Sequence, residues 1–156
     1  MSRIRHRTPL VLALAVLLLA GVAQANPHRL DDSGSHTVPP QAQMQWRALS
    51  ARGGADPGME AWLRVNLRIA TAAWAGRSGR VYMVLPRDEA STVEAVWTTQ
   101  GRLLPGRLVS GERALVDAGS LPGPTLEDQI TVRLRTGADW ASVSRRLNFH
   151  FEFDAD

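Results

Sequence analysis

The chain has 156 residues, with 18 basic side chains, all arginine, against 15 acidic ones, four histidines and no cysteine. The absence of cysteine excludes a disulfide framework, a thiolate metal site, a cysteine nucleophile and a lipid anchor on cysteine. Arg3, Arg5 and Arg7 account for three of the 18 bases, and setting that leading segment aside leaves 15 basic against 15 acidic residues. Such a balance lacks the clustered basic excess that a nucleic-acid partner requires, so none is expected.

Residues 1–25 read as an export signal. Three arginines and no acid precede an uninterrupted apolar run from Leu10 to Leu19, and Ala23-Gln24-Ala25 supplies the small-x-small pattern of a cleavage site. The run is roughly half the ~20 residues of a membrane-spanning helix. The mature chain is expected to begin at Asn26, to carry no transmembrane segment, and to reside in the periplasm or be secreted. About 130 residues then remain, enough for one domain with its own core.

Residues 26–40, rich in Pro, Ser and Gly without apolar periodicity, read as a flexible polar arm or linker, and 41–156 as a single domain. From 41 to 48, Ala42, Met44, Trp46 and Ala48 alternate with polar residues, the pattern of a half-buried strand with Trp46 in the core. The clearest strand is 59–69, with Met59, Ala61, Leu63, Val65, Leu67 and Ile69 on one face and Glu60, Trp62, Arg64, Asn66 and Arg68 on the other. Further strands are expected at 80–85, 93–99, 102–109 with an interruption at Pro105-Gly106, 113–118, 129–135 and 145–153, the last carrying the stripe Leu147, Phe149, Phe151, Phe153. Glu127 and Asp128 fall at a strand end or in a loop before 129. Trp97 is assigned to the core. About eight short strands with strict alternation and no helical pattern specify an all-β, antiparallel β-sandwich, with an immunoglobulin-like topology expected.

No cluster of residues commits to a chemistry. Asn26-Pro27-His28 places a histidine third from the expected new terminus, but Pro27 has no amide proton to lose, which breaks a square-planar copper site. Asn148, His150 and Glu152 share the outward face of the last strand and read as a solvated polar face, because the second imidazole of a metal site is missing. A serine nucleophile lacks a positioned base, and the acid pairs Asp88-Glu89 and Glu127-Asp128 read as solubilising. No catalytic residue, cofactor or metal is therefore expected.

The remaining candidate surface is aromatic. Trp62 with Arg64, Asn66 and Arg68, and Tyr82 with Arg80, face away from the apolar sets of their strands and read as a surface for a protein partner or a glycan. The competing reading covers Trp62 with loop 70–79 and arginine head groups. The expectation is an exported, non-enzymatic sandwich acting in protein–protein interaction, as an accessory or subunit of an envelope or surface assembly. The alternative is a carbohydrate- or peptidoglycan-binding module using Trp62 and Tyr82.

Overall fold

The computed structural model describes residues 26–41, 43–47, 58–87, 91–137 and 148–156. The export signal expected at 1–25, the start of the expected last strand at 145–147, and Ala42, Ala48, Asp88 and Glu89 lie outside them. The strands are β1 (His28–Leu30), β2 (His36–Val38), β3 (Gln45–Trp46), β4 (Gly58–Ala70), β5 (Ser78–Val84), β6 (Val93–Thr99), β7 (Gly106–Val109), β8 (Arg113–Ser120), β9 (Thr125–Gly137) and β10 (His150–Ala155). Two antiparallel sheets pack face to face. One has the order β1-β10-β5-β8; the other runs β2-β4-β9-β6-β7, with β3 sharing β2's edge of β4.

Alternation explains the sandwich. Ala61, Leu63, Leu67 and Ile69 of β4, Ile130, Val132 and Leu134 of β9 and Trp97 of β6 turn inward to meet Val81, Met83, Val116, Phe151 and Phe153 of the other sheet. Burying each large apolar side chain contributes roughly 1.5 to 3 kcal/mol, and the polar alternates are left facing out. Where two aromatics approach backbone, glycine makes room. A Cβ at Gly79 would sit 2.6 Å from the Phe153 ring, and one at Gly106 the same distance from the Trp97 ring.

The strand order is not the expected immunoglobulin order. Setting aside the short β2 and β3, the remaining strands in chain order pair first–eighth–third–sixth and second–seventh–fourth–fifth, which is a jelly roll. An immunoglobulin sandwich would put first, second, fifth and fourth in one sheet. The chain here crosses from sheet to sheet at most connections, and a hairpin stays within one sheet only at β6–β7 and around β3–β4.

Several segments depart from the sequence reading, among them 102–105, expected as the start of a strand, which is part of the loop between β6 and β7. Part of 26–40, expected as a flexible arm, forms β1 against β10 and β2 against β4. Leu30 is 3 % exposed in the core, and His28 stacks on Trp74 at 4.4 Å, which itself abuts Phe153. One buried leucine and one ring contact hold this segment, too little pattern to read as a strand. Trp46, expected in the core, is 58 % exposed, because β3 is two residues long and lies at a sheet edge. Glu127 and Asp128, expected at a strand end or in a loop, lie inside β9, which pairs with β4 over its whole length. Asp128 accepts the Leu103 amide at 2.7 Å and so fastens the β6–β7 loop to the sheet.

Candidate functional site

The outward surface of the six-stranded sheet is built from cross-strand rows. Antiparallel register sets the side chains of paired residues about 5 Å apart on one face, so each row is a contiguous strip. One row reads Trp62, Arg133, Val96, Arg107, and the next Val38, Arg64, Thr131, Thr98. These two rows carry no carboxylate. Glu60, Arg135 and Glu94 form a flanking row on one side; on the other come His36, Asn66 and Gln129, then Arg68 and Glu127.

Trp62 is 59 % exposed. Arg133 donates from Nε and Nη2 to Glu60 Oε2 at 3.0 and 2.7 Å, and its guanidinium carbon lies over the indole at 5.3 Å from the centroid, a long cation–π contact. Hydrogen bonding from Arg133, together with the positive charges of Arg135 and Arg47, holds the Glu60 carboxyl below its ordinary value of 4.5. Arg107 is bound to Glu94 and Arg68 to Glu127. Arg64 is exposed and has no ion-pair partner among the described residues. Asn66 is engaged on both sides: Gln129 Nε2 donates to its Oδ1 at 2.7 Å and its Nδ2 lies 3.0 Å from His36 Nε2.

Strand pairing on this edge of β4 is also broken at Trp62. β2 pairs with 64–66 and β3 with Met59 and Glu60, so among the described residues no strand pairs with 61–63 on that side. Val38 and Trp46, two of the other exposed large apolar residues, lie on the two short strands flanking this gap.

Tyr82 and Arg80 are on the other sheet. β5 belongs to the four-stranded sheet, so the candidate surface is divided between opposite outer faces of the sandwich, with Trp62, Arg64, Asn66 and Arg68 on one and Arg80 and Tyr82 on the other. An arginine lies over each of the two aromatics, more closely over Tyr82 than over Trp62. The Arg113 guanidinium carbon lies 4.1 Å from the Tyr82 centroid, held by Asp154 at 2.8 Å and by Glu152 at 3.6 Å. Its hydrogen bond to Asp154 raises the Arg113 pKa above its ordinary value. His150 completes this network, its Nε2 lying 3.2 Å from Glu152 Oε1, while Arg80 reaches Asp156. Asn148 is exposed at the end of the same strand.

Sequence reasoning missed Arg133, Val38, Val96 and Thr131 as neighbours of Trp62. Alternation within 129–135 does turn Thr131 and Arg133 outward, but which strand lies beside which is not local information. Among the described residues, no helix is long and apolar enough to cross a membrane, and no group of three or more His, Asp or Glu is placed to hold a metal ion. No family model, no curated protein and no solved structure matches the chain.

Proposed function

We propose that the protein is an exported, non-enzymatic β-sandwich that binds a protein partner in the cell envelope or at the surface through the six-stranded face centred on Trp62. The observation that carries this reading is the 59 % exposure of Trp62 on a sheet face, which persists although Arg133, anchored on Glu60, lies over the ring at 5.3 Å. A large flat side chain edged by arginine and half-buried neighbours is the usual composition of an interface anchor, because truncating it removes much contact area at little cost to the monomer. Export rests on the arginines, apolar run and Ala23-Gln24-Ala25 of the leading segment. Trp62 and Tyr82 lie on different sheets, so a protein or a glycan docked on one outer face meets one of the two aromatics.

The test is photocrosslinking from position 62 in cells, read beside position 82 as a control, with affinity measured on the identified product. Trp62→Ala should weaken that binding by about 2 kcal/mol or more, while Tyr82→Ala leaves it unchanged. A partner captured equally well by the Trp62→Ala protein, or retention on insoluble glycans that depends on Trp62, would displace the reading.

A further inference from the structure

Charge complementarity narrows the partner. Resting on the reading of the Trp62 face as the binding surface, we propose that this face takes an extended acidic peptide segment. Its carboxylates meet Arg64 and its apolar side chains lie on Trp62 and Val38.

The two central rows supply the argument. They hold Arg64, Arg107 and Arg133 together with Trp62, Val38 and Val96, and no acid. Across the whole outward face, five arginines (64, 68, 107, 133, 135) stand against three glutamates (60, 94, 127). Glu94 and Glu127 each neutralise one arginine, while Glu60 is shared between Arg133 and Arg135 at 2.7 and 4.0 Å. Two positive charges are left over: one is spread over Arg133 and Arg135 around the shared Glu60, and the other is on the exposed Arg64, two residues along the same strand face from Trp62. An exposed guanidinium presents a planar fork of donors that fits a carboxylate in bidentate fashion. A basic segment would meet like charge here.

Side chains around the indole favour a peptide over an anionic sugar. A sugar ring stacked on Trp62 would need amide or carboxylate groups free to bond its hydroxyls. Asn66 and Gln129 are bonded to each other and Glu60 is bonded to Arg133. What borders Trp62 and Arg64 instead is Val38, Val96, Thr98 and Thr131. An extended chain places alternate side chains on one face at a spacing that matches successive rows of the sheet.

The experiment is fluorescence anisotropy of the purified protein with a labelled peptide of alternating Glu and Leu. A Lys–Leu peptide and an oligogalacturonate serve as the two competing probes. The Glu–Leu peptide should bind, and Arg64→Glu should weaken it at least about tenfold. Arg64→Lys should lose less, and added salt should weaken the wild-type interaction. Thermal melts should show both Arg64 variants folded, since the side chain is exposed. Failure of the Glu–Leu peptide to bind overturns the proposal. So does equal binding of the Lys–Leu peptide, indifference to Arg64→Glu, or tighter binding of oligogalacturonate. If a partner crosslinked from position 62 loses affinity with Trp62→Ala but not with Arg64→Glu, the acidic assignment fails and the Trp62 reading stands. If that partner is indifferent to Trp62→Ala, the surface itself is wrong.

Discussion

The two outer faces of this sandwich carry similar residue types and treat their aromatics differently. On the four-stranded face, Arg113 lies over Tyr82 because Glu152 and Asp154 hold it there. On the six-stranded face, Arg133 is the direct cross-strand partner of Trp62, whereas Arg113 reaches Tyr82 diagonally from the position opposite Val84; Glu60 accepts both of Arg133's donors, and the indole, with the guanidinium at 5.3 Å, stays 59 % exposed. The carboxylates that fix Arg113 lie opposite Tyr82 and one row beyond it, which draws the guanidinium close over the ring, whereas Glu60 lies one row to the side of Trp62 and holds Arg133 at a longer distance.

The sharpest way to break this comparison is to remove a tryptophan from each side of the six-stranded sheet. Trp97 is 2 % exposed and its Nε1 donates to the Leu104 carbonyl at 2.9 Å. Trp97→Ala should cost roughly 3 to 5 kcal/mol in chemical denaturation, by cavity formation and the lost bond. A smaller effect follows on the four-stranded face. Asp154 is 5 % exposed and holds the half-exposed Arg113, so Asp154→Ala should cost about 1 to 2 kcal/mol and open Tyr82 to fluorescence quenchers. A neutral result would mean that the Arg113 cover contributes nothing and that the two faces do not differ.

Trp62→Ala should cost less than about 1 kcal/mol, the scale of an exposed cation–π contact, because the ring buries little in the monomer. A loss matching Trp97→Ala would show Trp62 to be structural. The smallest effect concerns pH. Because the folded Glu60 pKa is depressed, its contribution is fully present above the ordinary value of 4.5 and is lost as pH falls through the folded value. Stability followed by thermal melts below pH 4.5 should therefore decline more steeply in the wild type than in Glu60→Gln. Identical slopes would remove the Arg133–Glu60 pair as a contributor to stability on this face.

How much of this was legible depended on how local the information is. Strand β6 runs over Val93–Thr99 as its alternation indicates, and β4 exceeds the alternating stretch 59–69 by one residue at each end. Trp97, Phe151 and Phe153 are buried as their patterns require. The outward orientation of Trp62 and Arg133 was equally readable. Their adjacency was not, since β4 and β9 are joined by a register between residues far apart in the chain. β1 escaped notice because three residues with one apolar side chain carry no period, and its place is set by β10 and Trp74.

Period-two alternation, the Gly and Pro turns and the missing cysteines determined by themselves an all-β sandwich with these core residues, because the two faces of a strand differ in polarity wherever one of them meets a core. The tertiary structure alone decided which strands share a sheet. Pairing is a non-local choice made by backbone hydrogen bonding and core packing across the whole chain, and alternation is blind to it. That choice produced the jelly-roll order, set Trp62 and Tyr82 on opposite faces, left Trp46 at an edge, and placed Arg64 without an ionic partner among the described residues beside the exposed Trp62.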